Sequence, residues 1–247
     1  MSNRHRKFGA LRDVHDVRDR IYRGTPRSEL VPQAVYLREW GGPIKDQGEE
    51  GSCTGHAFSS AREWIARKYE KSSPILSPQC LYAEELLASN DFPKDEGAMP
   101  RTGCQVLTAL GCCETALYPY VTGEITKPTP EQIANALKYK TGAYHRIVSM
   151  SDLLRCVADA TPWPVAVGFT VYDSFMSDEV AETGIMPVPK LGEQQQGGLF
   201  HRSASYPLDA CRDSPRQPNP PFSTEYFRNA SGHPIITTGG PLVLARN

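Results

Sequence analysis

The sequence predicts an α+β protein with two lobes, the first mainly helical and the second containing β-strands. Residues 53–70 carry apolar side chains at spacings of three and four, which is typical of an amphipathic or buried helix. After residue 140 the pattern changes, and Pro164–Val171 is a short run that is typical of a buried strand. Helices first and strands later favour the α+β class.

The remaining elements follow from local signals along the chain. Ser52 is expected to cap the first helix, Ser77-Pro78 begins a second, and Gly111 is a plausible stop for a third. In chain order we predict helices over 53–70, 78–87, 102–110 and 131–138, a strand over 143–148, a helix over 151–158 and a strand over 164–171. Seven of the 21 prolines lie in residues 203–247, so we expect irregular structure or disorder there.

Composition sets limits on partners and on the compartment. The 247 residues are 39% apolar, enough for a core, and the net charge of −1 favours neither a nucleic-acid nor a membrane-surface partner. No run has the length of a transmembrane helix, and no apolar segment follows the basic Met1–Lys7, so we expect no signal peptide.

The seven cysteines are an odd number without paired Cys-x-x-Cys units, so no zinc site is predicted. Together with the missing signal peptide they favour a reducing compartment, and we expect a cytoplasmic protein. No metal or organic cofactor is expected. The oligomeric state is left open.

Residues 1–35 are expected to form a polar N-terminal arm. The run Leu11–Asp19 mixes arginine and aspartate, which is typical of a solvated segment. The sequence leaves open whether this arm inhibits the protein, anchors it or simply extends into solvent.

Cys53 is the candidate nucleophile. It follows Gly51 and Ser52 and begins the first predicted helix, where the positive end of the helix dipole favours a thiolate. Gln47, six residues upstream on a glycine-bounded loop, can donate a hydrogen bond to an oxyanion, and the Cys53 backbone N–H can supply a second. Each residue taken alone has an ordinary structural interpretation, a buried cysteine and a turn glutamine. Together they favour a catalytic array.

The segment Asp46–Thr54, which reads Asp-Gln-Gly-Glu-Glu-Gly-Ser-Cys-Thr, resembles the papain-like cysteine peptidases, peptidase family C1, in their bacterial and phage-type form. The likeness extends over roughly residues 8–198. It includes Leu76–Tyr82, the Tyr-Pro-Tyr at 118–120 and Thr183–Pro187.

The resemblance implies a thiol protease, a hydrolase acting on a peptide or protein substrate. It implies a helical lobe over about 36–125 and a β-barrel-like lobe from about 126, with the active-site cleft between them. The peptidase domain would cover 36–198. The substrate-binding residues implied are Gly51, Ser52, Glu96, Gly97 and Ala98, of which the last three would pair with an extended peptide or be a plain surface turn. Cleavage specificity is left open.

The histidine that acts as general base in such enzymes is not found at its typical position in this sequence. These relatives read Gly-Gly-His-Ala-Val, whereas here Leu199 takes the histidine position and His201 lies two residues later, roughly 6–7 Å along a strand. His201 is 148 residues after Cys53, inside the expected window of about 130–150. Asn229 is the nearest match for the orienting asparagine, or a chance match. His56, three residues after Cys53 on the same helix, is interpreted as a packed histidine.

Two further departures are visible. Glu50 stands where papain has a disulfide cysteine, so that bridge cannot form. After Gly198 the likeness ends, and residues 199–247 are treated as a divergent, proline-rich segment for which a frameshift, a truncated gene and a diverged tail all remain open. Three functions follow: a cysteine peptidase, a non-catalytic pseudopeptidase that binds peptides or a protein, and a thiol acyltransferase on the same scaffold.

Overall fold

The structure is a computed structural model that describes residues 7–23, 37–183, 187, 189–195, 203–207 and 242–245. Six α-helices lie in these ranges. They are α1 (Cys53–Ile65), α2 (Pro78–Ser89), α3 (Pro100–Ala109), α4 (Pro130–Ala136), α5 (Met150–Ala158) and α6 (Asp178–Thr183). A π-helical turn, Ala66–Glu70, continues α1, and 3-10 turns occupy Arg38–Trp40, Leu137–Tyr139 and Asp173–Met176. No helix of the described residues has the length and apolar character needed to cross a bilayer.

The helix boundaries follow the predicted signals closely. The Ser77 hydroxyl accepts a hydrogen bond from the Cys80 N–H at the start of α2, and Thr129 forms a capping box with Gln132 at the start of α4. Gly111 follows α3 with φ at 83°, a conformation that favours glycine. Ser52 precedes α1 as expected, but its side chain makes no capping hydrogen bond.

Helix α1 lies at the centre of the helical lobe and packs against α2 and α3. Its buried side chains form one apolar cluster with residues of the neighbouring elements. The fully or almost fully buried members of this cluster include Phe58, Ala61, Trp64, Ile65, Leu76, Leu81 and Leu107. Such close packing fixes the position of the first turn of α1, and therefore of Cys53, to within the tolerance of a packed core.

The described strands form one antiparallel sheet. The strands are β1 (Ala143–Arg146), β2 (Val165–Thr170), β3 (Ser203–Pro207) and β4 (Leu242–Ala245), in the order β1-β4-β2-β3. The expectation of irregular structure after residue 203 is wrong for β3 and β4, because backbone pairing with β2 stabilises both stretches despite the nearby prolines. The α+β class is confirmed, and a closed barrel stays a prediction.

The described part of the N-terminal arm, residues 7–23, packs against both lobes. Phe8, Ala10 and Asp13 are buried, whereas Val17 at the outer bend is 88% exposed. The Leu11 N–H donates to the Ala98 carbonyl at 2.9 Å, and the Tyr22 N–H donates to the Arg146 carbonyl at 2.8 Å. The expectation of a solvated arm is therefore wrong for Phe8, Ala10 and Asp13, whereas most residues of Leu11–Asp19 are exposed as expected.

Candidate active site

Cys53 is the first residue of α1, and the contact between α1 and α2 sets its position. A Cβ added to Gly55 would lie 2.3 Å from the Pro78 carbonyl oxygen, so the two helices meet backbone to backbone just behind the nucleophile position. Beneath this turn, the Thr54 hydroxyl donates to the side-chain carboxyl group of Glu85, which is fully buried. The first turn of α1 is thus held from below while the Cys53 sulfur faces the loop that carries Gln47.

Gln47 and Cys53 are brought together as the sequence predicts. The Gln47 side-chain amide nitrogen, Nε2, lies 3.2 Å from Cys53 Sγ. The same nitrogen donates to the Glu50 carbonyl at 3.0 Å and to the Lys7 carbonyl at 2.8 Å. On the backbone side, the Tyr120 hydroxyl donates to the Gln47 carbonyl at 2.9 Å, which fixes the loop. An amide donor beside a sulfur at a helix N-terminus is the arrangement that stabilises an oxyanion during acyl transfer.

Glu50, which stands where papain has a disulfide cysteine, makes hydrogen bonds to neighbouring elements. It is buried, and its Oε2 accepts hydrogen bonds from Gln79 Nε2 at 2.8 Å and from the Gly123 N–H at 3.2 Å. Burial raises the pKa of Glu50, while these hydrogen bonds oppose that shift. The loop before Cys53 is therefore tied to α2 and to the loop at residues 121–123 without a covalent bridge.

His56 is a packed histidine, as interpreted from its position on α1. Its Nδ1 lies 3.0 Å from the Ser52 carbonyl oxygen and 3.2 Å from the Ser52 hydroxyl, and its ring meets Tyr120 edge to face. Burial lowers the pKa of His56 to about 4, so the ring is neutral at neutral pH. The candidate base His201, the neighbouring Leu199 and the candidate Asn229 lie outside the described residues.

The N-terminal arm passes directly over the sulfur. The Gly9 N–H lies 3.4 Å from Cys53 Sγ, the Ala98 N–H donates to the Gly9 carbonyl at 2.9 Å, and Leu11 completes the pairing with Ala98. Cys53 is consequently only 1% exposed. Ala98, predicted to pair with an extended peptide, pairs here with a segment of the chain itself.

Glycine at position 9 is what allows this close passage. A Cβ added to Gly9 would lie 1.8 Å from the Gly51 carbonyl oxygen, and one added to Gly97 would lie 2.0 Å from the Gly9 carbonyl oxygen. The loops that carry Gly51 and Gly97 therefore form two walls of a narrow cleft, and the arm backbone fills it. Ser52 lies behind the first wall with its hydroxyl on Tyr120, and Glu96 is exposed at the second.

A cluster of four buried charges holds the arm down. Arg101 of α3 and Arg146 of β1 bind the carboxylates of Asp13 and Asp19. The Arg101–Asp19 contact is 2.6 Å and the Arg146–Asp13 contact is 2.8 Å. Burial acts to raise the pKa of Asp19, but hydrogen bonds from both arginines outweigh it and hold the pKa below its ordinary value. Sequence reasoning missed this cluster, because its partners lie more than 80 positions apart in the chain.

No protein-family model matches the chain. The structure superimposes on the crystal structure of xylellain, a cysteine protease from Xylella fastidiosa, with a TM-score of 0.73, 22% identity and 98% of each chain covered. The chain has the papain-like fold. Digestive procathepsin L 3 of Tenebrio molitor shares this papain-like fold with a TM-score of 0.63 at 16% identity, covering 98% of this chain and 76% of that one.

A curated relative supports the papain-like assignment from sequence. An uncharacterised peptidase C1-like protein of Acanthamoeba polyphaga mimivirus is 29% identical over 162 residues, which is 62% of this chain. The match spans 52% of that relative, so the chain covers about half the length of the curated protein it resembles. The resemblance to papain-like cysteine peptidases is thereby confirmed.

Proposed function

We propose that this chain is a cysteine peptidase that hydrolyses peptide bonds, held latent by its own N-terminal arm. The observation that carries the proposal is the contact of Cys53 Sγ with the Gln47 amide at 3.2 Å, in a cleft already filled by extended peptide backbone. A cleft that accommodates this segment by backbone hydrogen bonds to Ala98 is suited to unfolded or extended peptide substrates.

In the proposed reaction the Cys53 thiolate attacks the substrate carbonyl carbon. The carbonyl electrons move to oxygen, and that oxyanion receives hydrogen bonds from Gln47 Nε2 and from the Cys53 backbone N–H. The carbon–nitrogen bond then breaks, a general acid protonates the departing amine, and a thioester remains on the sulfur. Water attacks the thioester, releases the acid product and regenerates the thiol.

His201 is the proposed proton carrier. Strand β3 begins at Ser203, two residues later, pairs with β2 and lies against α1, the helix that carries Cys53. The strand that follows His201 in the sequence therefore lies beside the helix that carries Cys53, which supports the proposal. The same histidine would accept the thiol proton at the start and give it to the departing amine, as in other nucleophile–base pairs.

The arm is proposed to block both groups while it is docked. The Gly9 N–H donates toward the sulfur, and the Lys7 carbonyl takes the Gln47 amide that would otherwise serve the oxyanion. The group facing Cys53 Sγ is thus an amide nitrogen, which a thiolate does not attack. Activity therefore requires the arm to leave, and Gly9→Ala is the smallest change that drives it out, because the added methyl would meet the Gly51 carbonyl.

The test compares hydrolysis of an unfolded protein, such as reduced casein, by the full chain, by Gly9→Ala and by Gly9→Ala/Cys53→Ala. We expect Gly9→Ala to hydrolyse casein faster than the wild-type chain and the double variant to be inactive. Hydrolysis that survives in the double variant would remove Cys53 from the mechanism. If Gly9→Ala binds casein and its Cys53 reacts with iodoacetamide but no peptide bond breaks, the chain is a non-catalytic peptide-binding protein.

A further inference from the structure

We infer that Asp95 makes the subsite beside Cys53 select a positively charged substrate side chain, lysine or arginine, on the residue whose carbonyl is attacked. This inference rests on the proposed function, since it assigns a substrate class to the same cleft. It is carried by one residue of the arm, Lys7, which occupies that subsite in the structure.

Lys7 contributes two different groups to the site. Its backbone carbonyl accepts the hydrogen bond from Gln47 Nε2 at 2.8 Å, at the position proposed for an oxyanion. Its side-chain ammonium reaches Asp95, lying 2.6 Å from Oδ2, and it also donates to the Asp95 backbone carbonyl. A substrate residue that places its carbonyl at the same amide can therefore send a cationic side chain to the same carboxylate.

The Asp95 carboxylate is fixed in place before any cation arrives. It accepts hydrogen bonds from the Gly51 N–H at 2.9 and 3.1 Å and from the Tyr82 hydroxyl at 2.6 Å. The Tyr82 hydroxyl in turn accepts from the Gly97 N–H at 2.9 Å. These contacts connect the carboxylate to both walls of the cleft, so its orientation costs little further ordering when a ligand binds.

The subsite also offers the space that a long side chain needs. Gly51 and Gly97, which form the two walls nearest Cys53, have no side chains to obstruct it. The Lys7 and Asp95 side chains are 34% and 27% exposed, so the ion pair is partly screened by water. Partial exposure sets the expected size of the preference at a few-fold rather than a thousand-fold.

Asp95 also has a structural role, because it holds Gly51 and Tyr82. Asp95→Asn separates the two roles, since the amide oxygen can still accept from Tyr82 or Gly51 while the negative charge is lost. Glu49→Gln is the matched control, because Glu49 is an exposed carboxylate on the same loop two residues from Gly51. It removes one negative charge near the cleft without touching the subsite.

The experiment measures alkylation of Cys53 and does not require hydrolysis. The full chain carrying Gly9→Ala is treated with three peptidyl chloromethyl ketones that differ only in a terminal lysine, norleucine or glutamate. The thiolate forms a carbon–sulfur bond and chloride leaves. The rate is read on the Cys53 peptide by mass spectrometry. The readout is the ratio of the lysine rate to the norleucine rate, so effects common to both reagents cancel.

We expect the lysine reagent to react about fivefold faster than the norleucine reagent, and the glutamate reagent to be slowest. Asp95→Asn should bring the lysine-to-norleucine ratio to about one, while Glu49→Gln should leave it near five. A ratio of one with Asp95 intact, or a ratio lost equally in Glu49→Gln, would overturn the inference and leave Cys53 as a reactive nucleophile. If neither these reagents nor iodoacetamide modify Cys53 once the arm is displaced, the proposed function fails and the inference falls with it.

Discussion

Displacing the arm from the cleft should expose Cys53, and Gly9→Ala is the sharpest way to do it. The added Cβ would lie 1.8 Å from the Gly51 carbonyl oxygen, far inside any tolerated contact. Because both partners are backbone, neither can move aside as a flexible side chain could. The arm must therefore give up the hydrogen bonds that it makes inside the cleft.

The size of the effect follows from those hydrogen bonds. Three of them have an amide donor and a backbone carbonyl acceptor: Gln47 to the Lys7 carbonyl, Ala98 to the Gly9 carbonyl, and Leu11 to the Ala98 carbonyl. At about 1 kcal/mol each, their loss disfavours the docked state by about 3 kcal/mol. Since 1.4 kcal/mol corresponds to a tenfold change in population, Cys53 should react about 100-fold faster with a small reagent when docking limits access.

The assay is alkylation by iodoacetamide at neutral pH, read on the Cys53 peptide by mass spectrometry. Val17→Ala is the matched control, because Val17 lies on the same arm and is 88% exposed, outside the cleft. It should label at the wild-type rate. Equal labelling of Cys53 in Gly9→Ala and in the wild-type chain would refute the argument, since it would mean that the arm does not control access to the sulfur.

Three further predictions follow from other parts of the site. Asp19→Asn should raise Cys53 labelling about tenfold, because it removes a charge-assisted contact worth roughly 1.5 kcal/mol. Asp16→Asn is the control and should leave the labelling rate unchanged, because Asp16 pairs with Arg18 of the arm itself. In Gly9→Ala, a further Gln47→Ala should lower the rate constant for casein hydrolysis about 100- to 1,000-fold while Cys53 still alkylates, which separates oxyanion stabilisation from nucleophilicity. Burial raises the pKa of Glu85 to about 8; the folded chain therefore holds this proton more tightly than the unfolded chain, and stability should fall as pH rises. From this group alone, the free energy of unfolding measured in urea should be about 2 kcal/mol higher at pH 5 than at pH 7. Glu85→Gln should abolish this contribution.

The helices and their ends could be predicted because their signals are local. The apolar stripe of α1 and the Ser77-Pro78 start of α2 act within one or two turns, and the structure follows both. The Gln47–Cys53 contact was also predicted, because a glutamine on a glycine-bounded loop is combined with a cysteine at the first position of an apolar helix. Ser52 shows the limit of such reasoning, because its hydroxyl bonds to Tyr120, 68 residues away, instead of capping α1.

The arm could not be placed from sequence because its contacts are long-range and mostly made by backbone. The ion pair between Asp13 and Arg146 spans 133 positions, and no periodicity records it. Aspartates among arginines are read as solvated when their partners are unknown. Backbone pairing at Ala98 leaves no side-chain pattern at all, and only the glycine at position 9 marks the close passage.

Cys53 and Cys104 are both buried, but different groups surround their sulfur atoms. Cys104 is sealed by the apolar cluster around Phe58 and Leu107, and burial raises its pKa well above the ordinary value. Cys53 is as inaccessible as Cys104, yet an amide from Gln47 and a backbone N–H from Gly9 face its sulfur. Apolar side chains surround the Cys104 thiol, whereas two nitrogens that carry hydrogen lie beside the Cys53 sulfur, which is the environment expected of a nucleophile. The covering group is a chain segment held by hydrogen bonds, ion pairs and the buried Phe8, and we expect it to leave without unfolding the apolar cluster around α1 that positions the sulfur.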